Sequence, residues 1–239
     1  MITIAELVRN GTMTAEMAGV LWAAADQGVS FLTVALPRFA GKSTTSEAVL
    51  ALRRPGVELH HVAGEPEVMD RLTRDKLGGY LIVGEFSKAP VPGYIWGEPV
   101  RRVFDALSSG YALQTCLHAT GAAEGLREVT EGNGIPDEQA SVFDLVLYIE
   151  RLGDETSGFT RRLAEIYELD RIEDGKPVGR TLFRWRADGD VFERVEDPQR
   201  IGRGGDLAQR AEVIGTLASD GRTSDQDVAA AVAAFRAKG

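Results

Sequence analysis

The stretch that decides the fold reads Val29-Ser30-Phe31-Leu32-Thr33-Val34-Ala35-Leu36-Pro37-Arg38-Phe39-Ala40-Gly41-Lys42-Ser43-Thr44. Its first half, Val29–Leu36, is a short apolar run rich in Val, Phe and Leu, which predicts a buried strand. The segment that follows, Ser43–Arg53, has the composition of a helix. Gly41-Lys42-Ser43 therefore lies between a strand and a helix, which is the setting that a phosphate-binding loop requires.

This loop has the chemistry to bind phosphate. Backbone N–H groups of the loop and of the helix N-terminus bind phosphate oxygens, Lys42 can reach the β- and γ-phosphates, and Ser43 can ligate Mg²⁺. Two residues depart from the usual pattern: Leu36 stands where a glycine is expected, and Phe39 adds bulk. The alternative interpretation is a helix N-cap beside a surface lysine. The predicted binding residues are Pro37, Arg38, Phe39, Ala40, Gly41, Lys42, Ser43 and Thr44.

Strands and helices alternate through the first half of the chain, which predicts a doubly wound, mostly parallel α/β sheet. The further predicted strands there are Val57–Ala63, Tyr80–Val83 and Tyr111–Cys116. The further predicted helices are Ile4–Arg9, Ala15–Gln27 (with Thr14 as N-cap and Gly28 as C-cap), Glu67–Arg74 and Glu98–Leu107.

The second half changes character, because its β-favouring runs follow one another and predict antiparallel strands. These runs are Val142–Ile149, Thr181–Arg186 and Val191–Val195. Arg200–Asp206, with Gly202, Gly204 and Gly205, is predicted to be a loop. A helical hairpin, Leu207–Ser219 and Ser224–Lys238, is predicted beyond it, with Thr223 or Ser224 and Asp227 arranged like a capping box. We expect two domains, 1–199 and 200–239.

Two further strand ends carry candidate site residues. Tyr80–Val83 is followed by Gly84-Glu85, and a carboxylate at that position can hold Mg²⁺ or orient an attacking water, whereas the alternative is an ordinary turn. His118 follows the predicted strand Tyr111–Cys116 and could hydrogen-bond a γ-phosphate, or it could be a structural histidine. A metal site with Cys116 is disfavoured, because His60 and His61 are the only other histidines and would face opposite ways on a strand.

Composition limits the function classes. The 239 residues carry 27 Lys and Arg against 36 Asp and Glu, and this net charge of −9 argues against a surface built to neutralise a nucleic-acid backbone. The single cysteine suits a reducing compartment. Glu6 and Arg9 interrupt any signal-peptide core, and no apolar run is long enough to cross a membrane, so we expect a cytoplasmic location.

The ordered set of motifs resembles a known family. The loop, the strand that ends Ile82-Val83-Gly84-Glu85, and the segment from Asp105 to His118 are together similar to the type II/type IV secretion and pilus-assembly ATPases, the PilT, GspE and Tad/CpaF group. Ala5–Met17 resembles the lead-in of the Tad-type members. The resemblance covers Ile2–Leu169. It implies a P-loop NTPase (RecA-like) fold, ATP and Mg²⁺ as cofactors, a hexameric ring, and partners in an inner-membrane secretion or pilus platform.

The resemblance also implies roles for individual residues. Lys42 and Ser43 would be the Walker A residues for phosphate and Mg²⁺, Glu85 the Walker B acid that also faces Mg²⁺, and His118 the histidine-box residue. The family's acidic box corresponds to Gly64-Glu65-Pro66-Glu67, so Glu65 or Glu67 would polarise the attacking water; the alternative is a polar turn.

Departures from the family pattern leave two functions open. Phe86-Ser87 stands where an arginine often follows the Gly-Glu pair in the family. The stretch from Glu67 to Tyr80 is shorter than the family's and lacks its arginine-rich character. Lys88–Gly97 looks like an inserted surface loop. Missing cations would leave phosphate charge less compensated, which predicts slow or absent hydrolysis. The chain is expected to be either an ATPase that couples nucleotide state to filament assembly or export, or a nucleotide-binding pseudo-ATPase scaffold that recruits or regulates a motor. A small-molecule kinase explains fewer of the motifs.

Overall fold

The computed structural model describes residues 1–154, 156, 158–202 and 206–238. The strands are β1 Ser30–Val34, β2 Leu59–His61, β3 Tyr80–Ile82, β4 Glu85–Phe86, β5 Tyr94–Ile95, β6 Ala112–Leu117, β7 Phe143–Asp154, β8 Gly158–Glu173, β9 Lys176–Arg186 and β10 Val191–Arg194. The helices are α1 Ile4–Arg9, α2 Ala15–Gln27, α3 Lys42–Leu50, α4 Pro66–Asp75, α5 Glu98–Leu107, α6 Ala122–Arg127, α7 Asp137–Ala140, α8 Leu207–Ser219 and α9 Asp225–Arg236, and α6 continues into a π-helical turn at Glu128–Gly132.

One large sheet organises the molecule, in the order β10-β9-β8-β7-β1-β6-β3-β2. From β7 to β2 every neighbouring pair is parallel, and from β7 to β10 every pair is antiparallel. The predicted α/β fold with antiparallel strands in the second half is therefore confirmed. The elements predicted for the first half are present, with ends that differ by at most three residues.

Helices cover both faces of the sheet. All five residues of β1 are buried, and alternate side chains enter different apolar clusters. Phe31 packs in the cluster that contains α1, α2, α3, α8 and α9. Leu32 and Val34 pack in the cluster that contains α4, α5, α6 and α7. A central strand buried on both faces is typical of parallel sheets, and it fixes the loop after β1 at the middle of the sheet edge.

The predicted helix caps are confirmed. The Thr14 hydroxyl accepts the N–H of Met17 at 3.2 Å, and Gly28 ends α2 in the left-handed conformation with φ +70°. The Ser224 hydroxyl accepts the N–H of Asp227 at the start of α9. These caps satisfy backbone groups that the helix itself leaves unpaired.

The C-terminal hairpin, α8 and α9, packs on α2. Gly19 of α2 allows the approach, because a Cβ there would lie 2.8 Å from the carbonyl oxygen of Leu207. The guanidinium of Arg210 lies 4.8 Å from the centre of the Trp22 ring and donates to Asp26 at 2.6 Å. Asp26 also accepts from Arg236 of α9. The boundary at residue 200 stays a prediction, and the predicted loop glycines 204 and 205 lie outside the described residues.

A buried carboxylate anchors the chain after β10. Glu168 of β8 is 0% exposed. Its oxygens accept from the guanidinium of Arg180 at 2.6 Å and from the backbone N–H groups of Gln199, Arg200 and Ile201 at 2.9, 3.0 and 3.2 Å. These bonds attach the chain that leads to α8 to the middle of the antiparallel strands.

The predicted surface loop Lys88–Gly97 is exposed only in part. Residues 90–93 are exposed, but Tyr94–Ile95 forms β5, which pairs in parallel with Glu85–Phe86, and Ile95 is buried. Trp96 packs against the backbone of Gly132, and the ammonium of Lys88 lies 4.9 Å from its ring centre. The prediction of a surface loop is therefore wrong for the end of the segment, which is part of the wall beside Glu85.

Candidate functional site

Three predicted site residues converge at the carboxyl edge of the parallel strands. Lys42 begins α3 after β1, Glu85 follows β3, and His118 follows β6. Lys42 Nζ lies 3.1 Å from Glu85 Oε2 and 3.3 Å from His118 Nε2, and His118 Nε2 lies 3.2 Å from Glu85 Oε1. Because parallel strands end at one edge, residues far apart in the sequence form one cluster, which we call the Lys42 cluster.

The charges of the Lys42 cluster are buried. Lys42 is 8% exposed and Glu85 is 3% exposed, so their ion pair is shielded from solvent. A buried charge is costly unless a charge of opposite sign accompanies it. The two side chains therefore hold each other in place in the absence of a ligand, and both line a cleft that opens at the loop.

His118 leaves one oxygen of Glu85 without a donor. Its Nδ1 lies 2.7 Å from the carbonyl oxygen of Leu36, and because that oxygen can only accept, Nδ1 carries a proton. In the neutral ring, Nε2 then accepts from Lys42 and has no proton for Glu85. Oε1 of Glu85 is buried and makes no hydrogen bond with the described residues. It can accept from a water or a ligand.

The loop before α3 has an unusual backbone. Phe39 has φ +58° and Gly41 has φ +95°, both in the left-handed region. A residue with a side chain rarely adopts this conformation, and it costs roughly 1–2 kcal/mol. The ring of Phe39 is 83% exposed, and Leu36 is also exposed. The two departures from the loop pattern therefore both lie at the surface, among the residues that line the cleft.

Sequence reasoning missed two residues that hold this loop. Arg151 Nη1 of β7 donates to the carbonyl oxygen of Arg38 at 2.7 Å, and Arg161 Nη2 of β8 donates to the carbonyl oxygen of Phe39 at 2.9 Å. They come from the antiparallel half of the sheet. The sequence signal that could have placed them together is the pair Gly153 and Gly158, because closely spaced glycines often mark a turn between strands.

A cleft of about 960 Å³ opens at the loop. Its described lining includes the cations Arg38, Lys42 and Arg161, together with His118, and a single carboxylate, Glu85. The cleft is therefore positively charged in a protein whose net charge is −9. Its volume lies within the range of about 300–1,000 Å³ that small-molecule sites occupy. Charge and size together suit an anionic ligand such as a nucleotide.

The first turn of α3 supplies polar groups to this cleft. Ser43 and Thr44 line it, and Ser43 is exposed. The N–H groups of a first helical turn have no acceptor within the helix, so they are available to an anion. An exposed hydroxyl beside a buried carboxylate with an open oxygen fits the oxygen ligands that Mg²⁺ prefers.

The thiol of Cys116 is unsuited to bind a metal. Burial raises its pKa to about 11, so the thiol stays protonated near neutral pH, whereas a metal ligand must be a thiolate. Its Sγ lies 3.9 Å from the hydroxyl of Ser46, which in turn contacts the Thr33 hydroxyl at 2.9 Å. In the described parts of the chain, no group of three or more His, Cys, Asp or Glu side chains is arranged to hold a metal ion.

Glu65 and Glu67 lie apart from the Lys42 cluster. Glu65 Oε2 accepts the backbone N–H of Ala63 at 2.9 Å, and Glu67 is exposed in the first turn of α4. Neither is among the described residues that line the cleft. Their assignment to the attacking water stays a prediction.

Comparisons with known proteins give distant similarities. No protein-family model matches the chain. An uncharacterized protein of Methanocaldococcus jannaschii is 23% identical over an alignment that covers 79% of this chain and 38% of that protein. The ATPase DotB of Legionella pneumophila aligns in structure with a TM-score of 0.42 and 14% identity, covering 59% of this chain and 46% of DotB. DotB of Yersinia pseudotuberculosis aligns with a TM-score of 0.40 and 11% identity, covering 59% of this chain and 44% of that protein. The chain thus covers less than half of each of these proteins.

None of the described helices combines the length and the apolar character that a bilayer crossing requires.

Proposed function

We propose that this chain is the ATP-binding and ATP-hydrolysing domain of a secretion or type IV or Tad pilus-assembly ATPase. The observation that carries the proposal is the buried carboxylate of Glu85, which has one oxygen open and lies 3.1 Å from Lys42 at the start of α3. A lysine, a carboxylate and unpaired helix N–H groups at one sheet edge are the parts that phosphoryl transfer needs.

Each residue of the site has a defined task. Lys42, as the Walker A lysine, binds the β- and γ-phosphates together with the first-turn N–H groups of α3. Ser43 and Glu85 would hold Mg²⁺, which neutralises charge on the phosphate oxygens when it is bound. Oε1 of Glu85 accepts a hydrogen bond from a water. His118, fixed through its Nδ1 by Leu36, directs Nε2 toward the position of the γ-phosphate.

Calorimetry with Mg-ATP tests the binding step. Lys42→Ala should lower the affinity about 10- to 100-fold, because it removes a charge-assisted contact to phosphate. Lys176→Ala, an exposed lysine at the start of β9, removes the same charge away from the cleft and should bind like the parent. Equal affinity for the parent and the Lys42→Ala protein, with both folded, would contradict the proposal.

A nucleotide-binding scaffold without turnover is the second candidate. The specific observations that favour it are Leu36 in place of the first loop glycine and the engagement of Lys42 by Glu85. Steady-state phosphate release separates the two candidates. Turnover that Glu85→Gln abolishes supports the ATPase, and binding without turnover supports the scaffold.

Assembly is part of the same proposal. We infer a cytoplasmic hexameric ring that reaches the inner membrane through secretion or pilus platform proteins and does not bind nucleic acid directly. Light scattering with and without Mg-ATP tests the ring: a hexameric mass supports the motor, and a monomer under both conditions supports the scaffold.

A further inference from the structure

Two arginines lie side by side next to the phosphate-binding loop. Arg151 of β7 and Arg161 of β8 are directly opposite each other in the strand register. Residues in such positions point to the same face of the sheet, with Cβ atoms about 4.5–5.5 Å apart, and like charges placed there repel. The pair therefore opposes folding unless a group of opposite charge or polarity compensates it.

Among the described residues, backbone carbonyls of the loop accept hydrogen bonds from this pair. Arg151 donates to Arg38 O, and Arg161 donates through Nε and Nη2 to Phe39 O at 3.3 and 2.9 Å. Within the described ranges no carboxylate forms an ion pair with either guanidinium. Arg162, the next residue on β8, differs from both because it forms an ion pair with the carboxylate of Asp190 at 2.7 Å.

The free capacity of these arginines is directed at the loop. Arg161 lines the cleft, and its Cδ would lie 3.0 Å from a Cβ at Gly41. The guanidinium of Arg151 lies 4.2 Å from the ring centre of Phe159, and Phe159 lines the same cleft. A guanidinium has five N–H donors, and its planar fork matches phosphate oxygens. Both side chains keep donors beyond those that the carbonyls use.

The strand order defines which side of the loop they occupy. β6, which carries His118 at its end, flanks β1 on one side, and β7 flanks it on the other. Lys42, Glu85 and His118 therefore meet the loop from the β6 side, and the two arginines meet it from the β7 side.

We propose that Arg151 and Arg161 form an arginine clamp that binds the nucleotide phosphates within the same chain, from the side opposite to His118. This rests on the proposed function. The γ-phosphate is assigned to the Lys42 cluster, so the clamp binds the α- and β-phosphates, which ADP and ATP share. An anion between the two guanidinium groups also removes the repulsion of the cross-strand pair.

Calorimetric titration of the full chain with Mg-ADP and with Mg-ATP tests the clamp. Arg151→Ala and Arg161→Ala should each lower both affinities about 10-fold, since each removes charge-assisted hydrogen bonds, and the ratio of the two affinities should stay that of the parent. Arg171→Ala is the matched control: it removes the same charge from an exposed position on β8 and should bind like the parent.

A second variant covers the case in which Arg161→Ala does not fold. Arg161→Lys keeps the charge but loses the planar fork, so both affinities should fall by a smaller factor while the melting curve stays cooperative. Unchanged affinities in the variants overturn the clamp and leave the proposed function standing. A loss confined to ATP also overturns it, because it would assign the arginines to the γ-phosphate. A folded parent that binds neither nucleotide overturns the proposed function and the clamp together.

Discussion

Among the residues that the structure describes, two glutamates are almost completely buried, and they differ in how fully their oxygens are hydrogen-bonded. Glu168, in the antiparallel half, accepts from Arg180 and from three consecutive backbone N–H groups. The carboxylate of Glu85, at the edge of the parallel half, lies within ion-pair distance of the side chains of Lys42 and His118, and its Oε1 makes no hydrogen bond with the described residues. A saturated carboxylate stabilises the fold, whereas an unsaturated one beside a cation is available to a ligand.

The difference follows from where each carboxylate lies. Backbone donors surround Glu168 because an entire segment of chain folds over it. Glu85 lies where parallel strands end and loops diverge, so few backbone N–H groups are near it. Glu168 therefore serves mainly the stability of the fold and Glu85 mainly the chemistry of the site. Substitutions at the two glutamates should have different principal effects.

Substitution of Glu168 should have the largest effect on stability. In Glu168→Gln, one carboxylate oxygen becomes an NH₂ group that cannot accept, so buried N–H donors lose their acceptor, while Arg180 keeps its ion pair with Asp170 at 2.7 Å. We expect a loss of about 2–5 kcal/mol in the free energy of unfolding, measured by urea denaturation. Glu173→Gln, at an exposed position on β8, is the control and should change it by less than about 0.5 kcal/mol. Equal losses for Glu168→Gln and Glu173→Gln would mean that the buried hydrogen bonds of Glu168 do not stabilise the fold.

Substitution of Glu85 should affect stability less and turnover more. The amide oxygen of Glu85→Gln can still accept from Lys42, and Lys42 lines the open cleft, where water can solvate its ammonium, so the free energy of unfolding should fall by only about 1–2 kcal/mol. Under the proposed function, the Glu85→Gln protein should release phosphate about 10²–10⁴ times more slowly than the parent. A stability loss as large as that of Glu168→Gln would place Glu85 among the structural carboxylates.

Asp190 is an exposed carboxylate, and its substitution should have the smallest effect on stability of the three. Asp190, in the turn before β10, accepts from the Arg162 guanidinium and the Trp185 indole, and these hydrogen bonds lower its pKa to about 2. A lowered pKa stabilises the fold above the unfolded value of about 4, and this contribution is lost as the pH falls through about 2.

Asp190→Asn should therefore change stability at neutral pH least of the three. It should also flatten the loss of stability between about pH 4 and pH 2, which acid titration monitored by circular dichroism measures. The parent protein, titrated in the same buffers, is the control. Identical acid profiles for the two proteins would mean that Asp190 has no part in acid unfolding.

The parallel half could be predicted because its signals are local. Short apolar runs alternate with capped helices, and Thr14 and Gly28 mark the ends of α2 in the sequence as in the structure. The convergence of Lys42, Glu85 and His118 follows from one rule, that parallel strands end at the same edge.

The antiparallel half was only partly predictable. The sequence analysis predicts no element for residues 158–173, where β8 lies. Leu163, Ala164 and Glu165 favour helix, and pairing with β7 and β9 overrides that preference. The arginine pair depends on that pairing. Arg151 and Arg161 bind carbonyls 113 and 122 residues away in the chain, a separation that no local pattern encodes.

The three tryptophans of the chain lie in three different parts of the molecule, which gives each part its own optical reporter. Trp22 lies under Arg210 where the C-terminal hairpin packs on α2, Trp96 lies beside the wall that carries Glu85, and Trp185 donates to Asp190 in the antiparallel half. Variants that keep a single tryptophan would let fluorescence follow each part separately, so that ligand binding near Trp96 can be distinguished from loosening of the distant helices.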